Sequence, residues 1–244
     1  MNKTKRMVGD YFFGKPASIA EKILFIKRDT RLADYKEYLT DIKEFGQVWQ
    51  GFTGILRGEK VTVIATGIGP GLVGDATYAI DKPGALCLYS GTCGGLSNNL
   101  EIGDYFLANQ AICADGYSLL FGQDIFTVVN SDKMLFHSVK SSFNQLAIPF
   151  AVGLTFTTSS VVRENDLDFW ELVNPKCQII EMGCASFYVA ALRSQKRAVA
   201  YFWVTDLPTR GKSFFDTPVA EDIEIKQRRY EQAVSIDIEI LSRI

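Results

Sequence analysis

The sequence has one histidine, His137, and five cysteines, none of them in a CxxC pair. An odd number of dispersed cysteines is typical of reduced thiols and indicates neither a disulfide framework nor a zinc site. A single histidine excludes a His-rich metal site. Because His137 lies on a predicted helix far from every motif, it also excludes a histidine-based nucleophile relay. We therefore expect a cytoplasmic protein without a metal ion, in which His137 is structural.

The chain also has no excess of either charge and no long apolar run. Its 26 basic and 28 acidic residues give a net charge of −2, so neither nucleic acid nor an anionic membrane is an expected partner. No apolar stretch approaches the roughly 20 residues that a membrane-spanning helix needs. Residues 1–10 are charged and contain no apolar core, so a signal peptide is not expected.

The 244 residues, 47% of them hydrophobic, are enough for one domain with a sizeable core. We find no linker, internal repeat or low-complexity segment, so one domain spanning 1–244 is expected. Strands are predicted at 23–26, 48–56, 60–65, 85–88, 105–108, 150–156, 178–181 and 198–205, and helices at 32–45, 72–80, 131–146, 184–194 and 219–241. A strand, a glycine-rich segment and a helix follow one another, and this order favours the α/β class.

A glycine-rich segment at residues 84–96 organises the chain. The apolar run 85–88 predicts a buried strand, and Ser90–Gly95 predicts a turn whose glycines allow close approach of a ligand. Thr66–Gly71 follows an earlier strand in the same way. Its glycine spacing does not match the dinucleotide-binding fingerprint, so a nicotinamide-dependent oxidoreductase is a poor hypothesis.

Asp206 follows the apolar run 200–204 and precedes Leu207 and Pro208. A carboxyl group in this position is often only a turn or helix cap. In a partly dry pocket, the same group can instead donate a proton to a leaving group. The sequence pattern alone leaves both interpretations open.

Several short segments together resemble the nucleoside phosphorylase and nucleosidase superfamily, whose members cleave the N-glycosidic bond of nucleosides. They occur in the family's order over about residues 23 to 243. The segments are Gly51-Phe52-Thr53-Gly54, Thr66-Gly67-Ile68-Gly69, Gly91-Thr92-Cys93-Gly94-Gly95-Leu96, Ile102-Gly103-Asp104, Glu181-Met182 and Val204-Thr205-Asp206. Thr157-Thr158 and Thr205-Asp206-Leu207-Pro208 look most like the branch that contains AMP nucleosidases.

The resemblance implies a fold and an assembly. The expected fold is a single-domain, three-layer α/β/α sandwich around a mixed, partly barrel-like central sheet. Active sites near subunit contacts imply a homo-oligomer, either a dimer or a trimer of dimers. The substrate would be a small nucleoside or nucleotide. No cofactor is implied, and inorganic phosphate would be a co-substrate only if the reaction is phosphorolytic.

The resemblance also assigns residues to a site. Asp206 matches the acid that protonates the departing purine. The residues expected to bind substrate are Ile68, Thr92, Cys93, Gly94, Val161, Val162, Glu181 and Met182. Those expected to bind phosphate are Arg31, Gly69 and Thr92. Simple core packing is an alternative for Cys93 and for Ile68.

Four departures from the family pattern bear on the chemistry. Gly183 replaces a glutamate that binds the ribose hydroxyls, which leaves three alternatives: a deoxyribose, a sugar held by a substitute residue, or no bound sugar. Tyr89 replaces the second phosphate-binding arginine, which favours hydrolysis. Lys27-Arg28-Asp29 replaces Gly-Asp-Pro and leaves the register of Arg31 open. Val161 and Val162 stand where relatives place an aromatic residue against the base.

Three functional hypotheses follow. The first is a purine nucleosidase, in which Asp206 protonates the base and water attacks the sugar. The second is a phosphorylase that uses Arg31 and Thr92 as phosphate ligands. The third is a nucleoside- or base-binding protein without catalysis. Arg210 and Lys212 could hold a 5′-phosphate or could simply be surface charges.

Overall fold

The computed structural model describes residues 9–14 and 19–244. The charged N-terminal stretch 1–10, for which no signal peptide is expected, therefore lies outside the described residues except for residues 9 and 10. The strands are β1 Lys22–Ile26, β2 Thr40–Gly46, β3 Gln50–Leu56, β4 Glu59–Ala65, β5 Leu86–Gly95, β6 Tyr105–Ala114, β7 Val128–Asn130, β8 Phe150–Thr158, β9 Ile179–Glu181 and β10 Arg197–Asp206. The helices are α1 Leu32–Lys36, α2 Pro70–Ala79, α3 Gly116–Leu120, α4 Lys133–Gln145, α5 Leu167–Leu172, α6 Cys184–Arg193 and α7 Ala220–Arg243.

In the described residues the strands form one mixed sheet, part of which closes on itself. The order is β10-β6-β8-β9-β5-β1-β4-β3-β2, and β10 also pairs with β5. The strands β5, β9, β8, β6 and β10 therefore form a closed five-stranded barrel. Strands β1 and β10 run parallel to β5 on its two sides, so the carboxyl ends of all three meet at one edge.

Helices cover both faces of the sheet, as expected for a three-layer α/β/α sandwich. Helices α2 and α6 pack against each other on one face, with a core cluster that includes Tyr89, Phe187 and Phe202. Helices α4 and α7 pack against each other on the other face, over a cluster that includes Tyr201 and Trp203. The predicted fold class is confirmed.

One predicted helix, at 32–45, is wrong. Helix α1 ends at Lys36, and residues 40–46 form the edge strand β2, which pairs antiparallel with β3. Asp41 has a positive φ of 50°, a conformation that an α-helix cannot contain. The apolar spacing in this stretch fits a helix by chance, because a short helix and a strand lie within it.

The predicted turn at Ser90–Gly95 is also wrong, because β5 continues as a strand to Gly95. It pairs with β10 as far as Gly94 and with β9 at Gly94 and Gly95. Neighbouring side chains occupy the space where Cβ atoms would lie: a Cβ at Gly95 would be 2.8 Å from Leu207 Cδ2. These glycines therefore permit close packing of side chains and do not form a loop.

The remaining predicted elements lie where the periodicity placed them, with shifted ends. The hairpin between β3 and β4 turns at Arg57 and Gly58, both with positive φ.

The five cysteines are free and buried. Within residues 9–14 and 19–244, none of the helices is long and apolar enough to cross a membrane.

Candidate active site

The candidate site lies at the sheet edge where β1, β5 and β10 end. In the register of β5 and β10, Cys93 faces Val204 and Gly94 faces Asp206, with an irregularity between Val204 and Asp206. On the other side of β5, Gly94 faces Ile180 of β9, the residue before Glu181. The sheet therefore brings together Cys93, Gly94, Glu181 and Asp206, which the sequence analysis selected from three separate segments.

Asp206 is a buried carboxyl group, 7% exposed. Its Oδ1 accepts a hydrogen bond of 2.7 Å from the Thr205 hydroxyl. Burial raises the pKa of Asp206, and the Thr205 hydrogen bond and the charge of Lys226 oppose this rise. A Cβ at Gly94 would be 3.3 Å from Asp206 Oδ2, so glycine leaves space beside the carboxyl group. A raised pKa keeps a proton available, as proton donation to a leaving base requires.

Glu164 is a second acid near Asp206, and the sequence analysis missed it. It lies in the 3-10 turn Val162–Asn165 and is partly buried. Burial, followed by the negative charge of Asp206, raises the pKa of Glu164 to about 7. Two neighbouring carboxyl groups with raised pKa values are typical of acid–base sites. No motif marks Glu164, because its proximity to Asp206 arises only from the fold.

Glu181 is 4% exposed, and both of its carboxylate oxygens accept hydrogen bonds from other residues of the chain. Its Oε1 accepts a 2.6 Å hydrogen bond from the Thr157 hydroxyl. The Cys184 N–H, at the start of α6, lies 3.0 and 2.9 Å from the two carboxylate oxygens. The carboxylate thus caps α6 and fixes the segment that contains Met182 and Gly183. Met182 is partly buried.

A cavity of about 90 Å³ lies on the α7 side of the same sheet edge. Thr92, Arg31 and Ile68, selected from the sequence, line it together with Lys27 and Arg28. Arg31 is partly engaged: its Nε donates to Asp34 at 2.6 Å and one terminal nitrogen donates to the Tyr230 carbonyl at 2.7 Å. The structure therefore groups the predicted phosphate ligands Arg31 and Thr92 around one cavity, which three basic side chains and the Asp237 carboxyl group line.

Lys27 is the second site residue that the sequence analysis missed. Its Nζ donates a 2.6 Å hydrogen bond to the Thr92 carbonyl. The charges of Glu181 and Asp206 both raise its pKa, whereas burial has the larger effect and lowers it. The available signal was its position as the first residue after β1, in a segment that departs from the pattern of the family.

The sequence analysis also considered Gly69, Val161, Val162, Arg210 and Lys212. Gly69 precedes α2 with a φ of 126°, and a Cβ there would meet nothing within 4 Å. Val161 is partly buried and Val162 is 65% exposed. Arg210 donates to Glu101 at 2.9 Å, and Lys212 donates to Asp222 at 3.0 Å. These pairings favour a structural role for Arg210 and Lys212.

In the part of the chain that the structure describes, no three His, Cys, Asp or Glu side chains are grouped so that they could hold a metal ion. His137 lies exposed on α4, with its ring edge-on to Phe136.

Comparison with known proteins gives consistent matches over nearly the whole chain. The model of the phosphorylase superfamily matches residues 23–240. The DeoD-type purine nucleoside phosphorylase of Listeria welshimeri is 30% identical over 203 residues, which are 79% of this chain and 84% of that protein. A protein of the same name from Exiguobacterium sp. is 27% identical over 196 residues, 77% of this chain and 81% of that protein.

Two solved structures share the fold at low sequence identity. Uridine phosphorylase from Vibrio fischeri superposes with a TM-score of 0.77 at 13% identity, covering 93% of each chain. The 5′-methylthioadenosine/S-adenosylhomocysteine nucleosidase from Neisseria meningitidis superposes with a TM-score of 0.69 at 16% identity, covering 91% of this chain and 98% of that one. One is a phosphorylase and the other a nucleosidase.

Proposed function

Because the chain belongs to the phosphorylase superfamily, a family of enzymes, we propose that it cleaves the N-glycosidic bond of a purine nucleoside or nucleotide by hydrolysis. The observation that carries the proposal is the buried Asp206 carboxyl group, whose pKa burial raises, at the shared end of β5 and β10. The purine nucleoside phosphorylases among its relatives support the choice of base.

In the proposed reaction the sugar develops positive charge as the bond to the base breaks. The electron pair of that bond goes to the base, and the proton of Asp206 passes to a ring nitrogen of the base. A water oxygen forms the new bond to the anomeric carbon and releases its proton to solvent. The products are a free pentose and a free base. Solvent then reprotonates Asp206.

Water is proposed as the nucleophile because of two side chains. Tyr89 stands where the family has its second phosphate-binding arginine, and the Tyr89 side chain is fully buried among Phe187 and Phe202. Lys27 donates to a carbonyl of its own chain. A pair of guanidinium groups matches the geometry of phosphate, and of the expected pair only Arg31 is present. Arg31 itself donates to Asp34 and to the Tyr230 carbonyl.

Phosphorolysis is the second candidate, and the cavity favours it. Lys27, Arg28 and Arg31 line the same space as Thr92, and several cations around one small cavity suit a phosphate anion. The relatives named above are phosphorylases. In this case phosphate oxygen would replace water as the nucleophile, and the product would be a pentose 1-phosphate.

A panel of purine and pyrimidine nucleosides and 5′-nucleotides, incubated with the purified protein with and without inorganic phosphate, tests the proposal. Chromatography of the free base and of the sugar product separates the candidates. Base release without phosphate is the expected result. Release that requires phosphate would favour the second candidate. Binding of panel members without release would indicate a non-catalytic nucleoside- or base-binding protein.

The assembly and the compartment are proposed in the same way. We propose a cytoplasmic homo-oligomer, either a dimer or a trimer of dimers, with sites near the subunit contacts. Phe214 is 66% exposed and Phe215 is 45% exposed in the segment after Asp206, and apolar rings of this kind suit a subunit contact. Light scattering of the purified protein would measure the number of subunits.

The AMP nucleosidase branch is the proposed subgroup within the superfamily. The nucleotides of the substrate panel test this assignment.

A further inference from the structure

Lys27 extends from the end of β1 across to the end of β5. It belongs to the segment Lys27-Arg28-Asp29, which the resemblance to the family sets against Gly-Asp-Pro. Its Nζ lies 2.6 Å from the Thr92 carbonyl oxygen, and Thr92 is a predicted phosphate ligand. The Lys27 side chain thus occupies the space beside the Thr92 carbonyl.

The stem of Lys27 passes directly over Gly91. A Cβ at Gly91 would be 2.6 Å from Lys27 Cε and 2.9 Å from Lys27 Cδ. The ammonium then lies 5.2 Å from the centre of the Phe202 ring and 6.0 Å from that of Tyr89. Both aromatic side chains are fully buried. The lysine therefore fills the space between two strand ends and the aromatic residues beneath them.

Fixed groups of the chain balance the positive charge of Lys27. The carboxylate of Glu181 contributes most to holding the proton on Lys27, and Asp206 contributes less. In return, Lys27 lowers the pKa of Glu181, against the effect of burial. The Thr92 carbonyl accepts a hydrogen bond from the ammonium group. A cation with these partners is a built-in component of the site and is less available to an incoming anion.

We propose that Lys27 determines the choice of nucleophile: its side chain fills the space beside Thr92 that inorganic phosphate would need, and so restricts the enzyme to water. The proposal rests on the hydrolytic function proposed above. It makes Lys27 a specificity-determining residue. Shortening the side chain opens space next to Thr92 in a cavity that Arg28, Arg31, Ser90 and Asp237 also line.

Three variants separate the volume of the Lys27 side chain from its charge. Lys27→Ala and Lys27→Gly remove the stem and the charge, whereas Lys27→Met keeps a side chain of similar length without the charge. Lys140→Ala, an exposed position on α4, is the matched control. Binding of inorganic phosphate is measured by calorimetry, the sugar product by chromatography, and folding by the melting temperature.

The expected result is that Lys27→Ala or Lys27→Gly binds phosphate and forms pentose 1-phosphate. The wild type, Lys27→Met and Lys140→Ala should do neither. A gain of about tenfold or more in phosphate affinity, which is about 1.4 kcal/mol, would support the proposal. Two short variants are included so that the failure of one to fold leaves the other to decide.

Two results would overturn it. If the wild type binds phosphate and Lys27→Met loses that binding, Lys27 is a phosphate ligand. If the folded short variants bind no more phosphate than the wild type, its side chain does not exclude the anion. The phosphate titration needs no nucleoside, so it decides the role of Lys27 even if the nucleoside panel gives no base release and the proposed function fails.

Discussion

The hydroxyl oxygen of Tyr89 lies 2.9 Å from the position that a Cβ at Gly183 would occupy, and Val73 Cγ1 lies 2.8 Å from that position. The resemblance to the family marks both Tyr89 and Gly183 as departures from its pattern. They share one space, because the tyrosine takes up room that a side chain at residue 183 would need. Restoring glutamate at 183 alone should therefore fail to restore contacts to ribose hydroxyls.

Gly183→Ala should lower the free energy of unfolding by about 1–3 kcal/mol, because the added methyl group overlaps Val73 and Tyr89 in a packed core. Urea unfolding measures the change. Gly71→Ala in α2 is the control, because a Cβ there meets nothing within 4 Å and alanine suits a helix. Equal stability of the two variants would contradict the predicted overlap.

Asp206→Asn should reduce base release by about 10²–10⁴-fold, the usual contribution of a positioned general acid. The amide keeps the shape of the side chain and can still accept from the Thr205 hydroxyl, so the melting temperature should change little. Initial rates of base release are the measurement, with Asp124→Asn on an exposed loop as the control. An unchanged rate in folded Asp206→Asn would rule out the proton-donor role.

Glu164→Gln should remove an ionisation near pH 7 from the pH profile of base release. Burial and the charge of Asp206 raise the pKa of Glu164 to about 7, so Glu164 gains its negative charge in this range, close to the proposed proton donor. Glutamine does not titrate, so the profile of the variant should lack this step. Glu171→Gln, exposed on α5, should leave the profile unchanged. A profile of Glu164→Gln that matches the wild type would show that the two acids act independently.

The buried Asp237 should make stability depend on pH. Burial raises its pKa from 3.8 to about 6, although the hydroxyls of Tyr35, Ser90 and Tyr201 donate to it. The folded state then binds the proton more tightly than the unfolded state. The contribution of this group to the free energy of unfolding is therefore lost as pH rises from about 4 to 6. The loss is on the order of 3 kcal/mol and is nearly complete at about pH 7.

Asp237→Asn should remove this pH dependence, because the amide does not titrate. Urea unfolding at several pH values between 4 and 7 provides the comparison with the wild type. Glu231→Gln, exposed on the same helix, should keep the slope of the wild type. If the slopes of the wild type and Asp237→Asn agree, the Asp237 carboxyl titrates at its ordinary pKa.

The sequence predicted the fold class and the positions of most elements because apolar periodicity is strong in the core. It failed at β2, where Leu39, Ile42 and Phe45 fall at a helix-like spacing although backbone pairing with β3 decides the structure. It also failed at Gly91–Gly95. Glycine there indicates close side-chain packing across strands, which sequence alone cannot distinguish from a turn.

Sequence motifs predicted the part of the site that lies within them. Cys93, Gly94, Glu181 and Asp206 lie in family motifs and meet at one sheet edge. Lys27 lowers the pKa values of Glu181 and Asp206, and Asp206 raises that of Glu164, yet neither Lys27 nor Glu164 lies in a motif that marks acid–base chemistry. Their proximity depends on the 3-10 turn after β8 and on a side chain crossing between β1 and β5, and only the folded structure provides both.

The double pairing of β10, with β5 on one side and β6 on the other, has a consequence for synthesis of the protein. Until Arg197–Asp206 leaves the ribosome, the barrel has a gap, and β5 and β6 each present an unpaired edge made of strongly apolar residues. Such edges template aggregation. A nascent chain stalled before residue 197 should therefore need a chaperone to stay in solution, whereas a chain that includes β10 should not.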